Sequence, residues 1–128
     1  MERKSARDIA REETKRAEEE QRGINFGHRI FRKDNPEFAS LFLEFWRGSK
    51  RGEAIPRKYK ELMELAIVLV LHCKPCIFLH TKLCLDAGAS REEILETAQI
   101  AISMGGGVVY EYVGYLMEAL ESLTETEE

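Results

Sequence analysis

No stretch of this 128-residue chain approaches the ~18 consecutive apolar residues that a membrane-spanning helix needs. The charged opening MERKSARDIAREETKRAEEEQRG also lacks the apolar centre of a secretory signal. The expectation is a cytoplasmic protein with no membrane partner. Sustained period-two alternation is scarce as well, which argues against strands. Neither sign of charge dominates: 19 basic against 23 acidic residues give a formal net charge of -4, and nothing calls for nucleic acid as a partner. The three cysteines are too few for a disulfide framework, and in a reducing compartment they point instead to catalysis, metal binding or burial. What remains is a chain 44% hydrophobic, long enough for one small core.

Helical punctuation is frequent. Residues 2 to about 22 are charged, with Ile9 as their one large apolar side chain, and Glu12 and Arg16 are spaced to pair across a helical turn. This predicts a solvated helix or arm over residues 1–24, ending at Gly23, followed by a helical domain over 25–128 whose first stretch to Asp34 is a connector. Asn35-Pro36 reads as a helix start. Phe38, Leu41, Phe42, Phe45 and Trp46 then form an apolar stripe expected in the core. Pro56 opens the next helix, in which Leu65 to Leu71 are all apolar and are expected to be buried all round. Gly88 fits a helix C-terminus and Ser90-Arg91-Glu92-Glu93 fits a capping box. Ile94, Leu95, Ala98, Ala101 and Ile102 make one buried face, and the stripe from Val109 to Leu123 makes another. Gly105-Gly106-Gly107 between them follows a helix and has no Gly-Lys-Ser/Thr after it, so it reads as a helix junction rather than a phosphate loop. The acidic tail TETEE is expected to fray.

The chemistry concentrates in His72-Cys73-Lys74-Pro75-Cys76-Ile77-Phe78-Leu79-His80. A proline within a helix costs ~3 kcal/mol but is tolerated in the first turn, so one helix should end near His72 and another begin at about Cys73. There the helix dipole and free amides favour a thiolate. Cysteines at i and i+3 have α-carbons about 5 Å apart, which suits a reversible disulfide. His80 lies one turn beyond Cys76 on the same face, placed to take its proton. Cys84 continues that face but sits in an apolar run and reads as a buried small residue. If the two helices fold back on each other as an antiparallel pair, Glu61 and Glu64 both come to the level of His80, and helical rise alone does not choose between them.

Lys60-Glu61-Leu62 through HCKPCIFLH, then Asp86 to Ala98, resembles the AhpD-like alkyl hydroperoxidases of the carboxymuconolactone decarboxylase superfamily. The resemblance spans roughly residues 36 to 120. It implies an all-α, AhpD-like oligomeric fold, a homotrimer or homohexamer, with the Cys-x-x-Cys at a helix N-terminus. It also implies a proton-relay glutamate at Glu61, a redox pair at Cys73 and Cys76, and a relay histidine at His80. No cofactor is expected beyond the redox-active disulfide; the partners are a hydroperoxide substrate and a dithiol reductant of the thioredoxin or lipoamide type. Pro75 stands where the well-studied hydroperoxidases carry a further histidine, which shortens the relay.

Two other readings compete with this peroxidase or disulfide oxidoreductase. One is a zinc-binding or merely packed structural oligomer. Cys73 and Cys84 lie roughly 16 Å apart along one helix, too far to share an ion with Cys76 and His80, so only a partial site of Cys76, His80 and one carboxylate remains. The other is a redox sensor in which the disulfide switches a partner surface on the charged N-terminal helix.

Overall fold

The computed structural model describes residues 2–124. Among these it contains six helices and no strand: α1 (Ala6–Asp34), α2 (Pro36–Gly48), α3 (Arg57–Val70), α4 (Lys74–Asp86), α5 (Arg91–Gly105) and α6 (Gly107–Thr124). They fall into two compact units, Met1–Ala54 and Ile55–Glu128. Of the tail TETEE, all but Thr124 lies outside the described residues.

In the first unit Ser5 caps α1 through a capping box with Asp8, whose carboxyl is held below its ordinary value chiefly by the Ser5 hydroxyl. The helix does not stop at Gly23; the expected connector to Asp34 is helical throughout. One glycine costs only about 1 kcal/mol in a helix interior, and side-chain pairs such as Gln21 with Asn25 at 3.1 Å bridge the region. The predicted Glu12–Arg16 pair is also replaced: Glu12 binds Lys4 at 2.6 Å, and Arg16 pairs with Glu13. Asn35 ends α1, its backbone N–H donating to the Phe31 carbonyl at 2.8 Å, and Pro36 opens α2 as expected. The apolar stripe of α2, however, is not core. Phe38, Leu41, Phe42 and Phe45 are exposed, Phe45 by 75%, although Phe38 meets Phe31 edge-on at 6.3 Å. Helical periodicity identifies the face but not what covers it.

The buried core belongs to the second unit. Leu65 and Leu69 of α3, Ile77 and Cys84 of α4, Ile94 of α5, and Val109, Leu116 and Leu120 of α6 are all fully buried. The run Leu65 to Leu71 departs from expectation: Ile67, Val70 and Leu71 on its other face are exposed. Ser90 and Glu93 form the predicted capping box of α5. The Ser90 backbone N–H, and then Lys58 at 3.0 Å, hold the Glu93 carboxyl below its ordinary value, while Glu93 raises Lys58 in return. The triple glycine is a junction with two separate requirements. Gly106 has φ +73°, where a side chain is strained, and a β-carbon on Gly105 would collide with the buried Val109 side chain.

Candidate active site

The turn between α3 and α4 is built by backbone hydrogen bonds. The His72 N–H donates to the Leu69 carbonyl at 3.2 Å, and the Cys73 N–H reaches back to the Val68 carbonyl at 3.2 Å. This is the double-bonded helix ending in which glycine usually takes the left-handed position. Here His72 takes it, with φ 58°, and its ring stacks on Tyr112 at 4.8 Å. Cys73 then becomes the N-cap of α4, Pro75 lies in the first turn, and Cys76 follows it within that turn. Proline is harmless here because the first helical amides have no intrahelical acceptor.

Cys73 and Cys76 are joined in a disulfide with their α-carbons 5.2 Å apart. Both are half-buried, so the pair reaches the surface while Ile77 beside it is anchored in the core. Lys74 lies over the Tyr115 ring at 4.8 Å, and Tyr115 in turn meets Tyr112. His72, Lys74, Tyr112 and Tyr115 thus form an aromatic and cationic surround to the disulfide. Sequence reasoning did not identify it, because Tyr112 and Tyr115 lie on α6, distant in the chain.

His80, one turn after Cys76, is 8% exposed. Its Nδ1 lies 3.1 Å from Oε2 of Glu64, on α3. Glu61, one turn earlier on α3, is fully buried, with Oε1 3.5 Å from Nε of Arg57. One donor atom each from Glu61, Glu64 and His80 lies within 4.8 Å of the others. Helical rise left both glutamates open and the resemblance selected Glu61; the structure brings both to His80 and puts Glu64 in direct ion-pair contact. Glu64 is therefore the residue that a motif-based assignment omits. Cys84 is outside the disulfide, fully buried and part of the core, and Thr81 donates to the Ile77 carbonyl at 2.6 Å. Nδ1 of His80 faces this carboxylate of Glu64, and a ring proton carried on that side leaves the other ring nitrogen as an acceptor, the state a proton-abstracting imidazole needs.

The chain is similar to known proteins in sequence and in fold. The model of the carboxymuconolactone decarboxylase family matches residues 36–113. A solved structure of a carboxymuconolactone decarboxylase family protein from Legionella pneumophila is 30% identical, with a TM-score of 0.81; the match covers 86% of this chain and 98% of that one. Another, from Thermotoga maritima, is described as a candidate participant in an antioxidative response; it is 36% identical over 67% of this chain and 89% of its own, with a TM-score of 0.64. An uncharacterised protein of Cupriavidus necator is 32% identical over 72 residues, and that match spans 56% of this chain and 64% of the relative. With the family's model matching more than half of the chain, and a family structure at 30% identity covered over 98% of its length, the chain belongs to the carboxymuconolactone decarboxylase family.

Proposed function

We propose that the protein is a thiol-dependent peroxidase or disulfide oxidoreductase acting through Cys73 and Cys76. The observation that carries this reading is a half-buried disulfide at the start of α4, one turn before a buried histidine held by a carboxylate. In the reduced state His80 takes the Cys76 proton, with Glu61 and Glu64 stabilising the imidazolium that forms. The thiolate attacks a hydroperoxide oxygen; the O–O bond breaks, Cys76 becomes a sulfenic acid, and the leaving alkoxide takes the proton from His80. Cys73 then attacks the sulfenic sulfur, water departs, and the disulfide closes. An external dithiol of the thioredoxin or lipoamide type reopens it by exchange, and Cys73, at the helix cap, is the sulfur that it attacks. No cofactor takes part.

The decisive experiment counts free thiols in the reduced native protein before and after one equivalent of cumene hydroperoxide. Loss of two thiols per chain is expected, with no disulfide formed in Cys76→Ser. Retention of both thiols in the wild type would end the peroxidase reading.

The active form is a homotrimer or homohexamer in the cytoplasm. Support for assembly comes from apolar side chains left uncovered in the single chain: Phe42 and Phe45 on α2, Ile67 and Leu71 at α3, Ile100 and Met104 on α5. Light scattering should give three or six chain masses; a monomer at micromolar concentration would refute it. No described helix is long and apolar enough to cross a membrane.

A further inference from the structure

A proton relay needs one carboxylate beside the histidine, yet this site has two. Glu61 is fully buried and Glu64 is partly buried, its side chain 25% exposed, and both approach an imidazole that is itself nearly buried. Donor atoms of two carboxylates and one imidazole thus gather within 4.8 Å of one another where solvent scarcely reaches. Concentrating like charge in a low-dielectric site is costly unless a cation or proton offsets it.

The donor set specifies what that cation is. Two carboxylate oxygens and one imidazole nitrogen suit zinc and similar first-row divalent ions better than magnesium, which prefers oxygen and retained water. A tetrahedral ion with bonds of about 2.0–2.1 Å holds its ligand atoms roughly 3.4 Å apart. The His80–Glu64 separation of 3.1 Å is already close to this, and with all three atoms within 4.8 Å of one another Glu61 needs only a carboxylate rotation to join. Glu61 and Glu64 share one face of α3 at i,i+3 spacing, His80 comes from α4, and the exposed edge of Glu64 gives an ion its path in.

We propose that Glu61, Glu64 and His80 form a binding site for a divalent cation of the zinc class, and that the bound ion reversibly inhibits the thiol chemistry. The inhibitory half rests on the function proposed above; the binding half does not. Coordination at Nδ1 leaves the ring proton on the other nitrogen, so the imidazole has no lone pair with which to accept the Cys76 proton. The ion thus takes the nitrogen on which the relay needs the ring proton, and moves that proton onto the nitrogen that would accept from Cys76.

Binding is tested on the full-length chain in its disulfide form, where neither Cys73 nor Cys76 offers a thiolate. Zinc chloride is titrated calorimetrically into the wild type, Glu61→Gln and Glu64→Gln, with magnesium chloride as a control and circular dichroism as a check on folding. One zinc per chain is expected, each substitution weakening it by at least about tenfold, with no saturable magnesium binding. If Glu61→Gln loses helicity, the more exposed Glu64→Gln decides. Absence of saturable zinc binding in the wild type, or binding unchanged in Glu64→Gln, overturns the site. Inhibition is read separately on reduced protein, as the ratio of thiol-loss rates without and with zinc. That ratio should fall to about one in Glu64→Gln; an unchanged ratio would place the inhibiting ion on the cysteines and overturn the inhibitory role. Failure of the peroxidase reading itself would appear as unreactive thiols without zinc and would leave the calorimetry untouched.

Discussion

Replacing His80 by Asn is expected to slow hydroperoxide-driven loss of the Cys73 and Cys76 thiols at neutral pH by about 10²- to 10⁴-fold, the usual contribution of a positioned acid or base. Asn fits the space and keeps hydrogen-bonding capacity but takes no proton. Glu64→Gln leaves the imidazole in place and removes only the charge behind it, at 3.1 Å from Nδ1, so its deficit should be smaller. The pH profile distinguishes lost proton transfer from a disturbed fold. As pH rises toward the ordinary cysteine range near ~8.5, solvent deprotonates the thiol and the His80→Asn deficit should narrow. A misfolded variant would show a deficit independent of pH. Stopped-flow mixing with cumene hydroperoxide measures both, and an unaltered neutral-pH rate would remove His80 from the mechanism.

The largest effect on stability is expected from Ile77→Ala. Ile77 directly follows Cys76, is fully buried, and fixes the first turn of α4 in the core. Truncation removes transfer energy and leaves a cavity between helices that cannot fully close, at a cost of about 2–5 kcal/mol. At roughly 2–8 °C per kcal/mol for chains around this size, thermal unfolding should move down by several degrees at least. The substitution also loosens the platform on which the cysteines stand. Denaturant unfolding of the disulfide form would measure the loss, and a cost under about 1 kcal/mol would show that the core repacks around the gap.

The contrast between what the sequence showed and what it hid follows the range of the interactions involved. Gly88, Ser90 with Glu93, and Pro75 marked their helix ends correctly because caps and proline act within a few residues. The 5.2 Å spacing of Cys73 and Cys76 is likewise a property of one helical turn. Gly23 does not end α1, because the cost of about 1 kcal/mol for one interior glycine is small beside a 29-residue helix with side-chain pairs such as Gln21–Asn25 across it. The apolar run Leu65 to Leu71 misled for another reason: composition reports that a side chain prefers cover, whereas Ile67 and Leu71 are left exposed by the packing of the described residues. The choice between Glu61 and Glu64 depended on how far α3 slides along α4, which no local pattern encodes. Tyr112 beside His72 is the same case at longer range.

Cys84 gives this molecule a built-in reporter. Its thiol is fully enclosed among core side chains, so a water-soluble alkylating reagent reaches it only when α4 parts from its neighbours. In the disulfide form it is the one cysteine thiol left to alkylate, since Cys73 and Cys76 are joined to each other. The rate at which it is modified under native conditions is therefore a clock for core opening, read without denaturant and without an added probe. Two cysteines record the redox state of the chain and the third records how often its interior is breached.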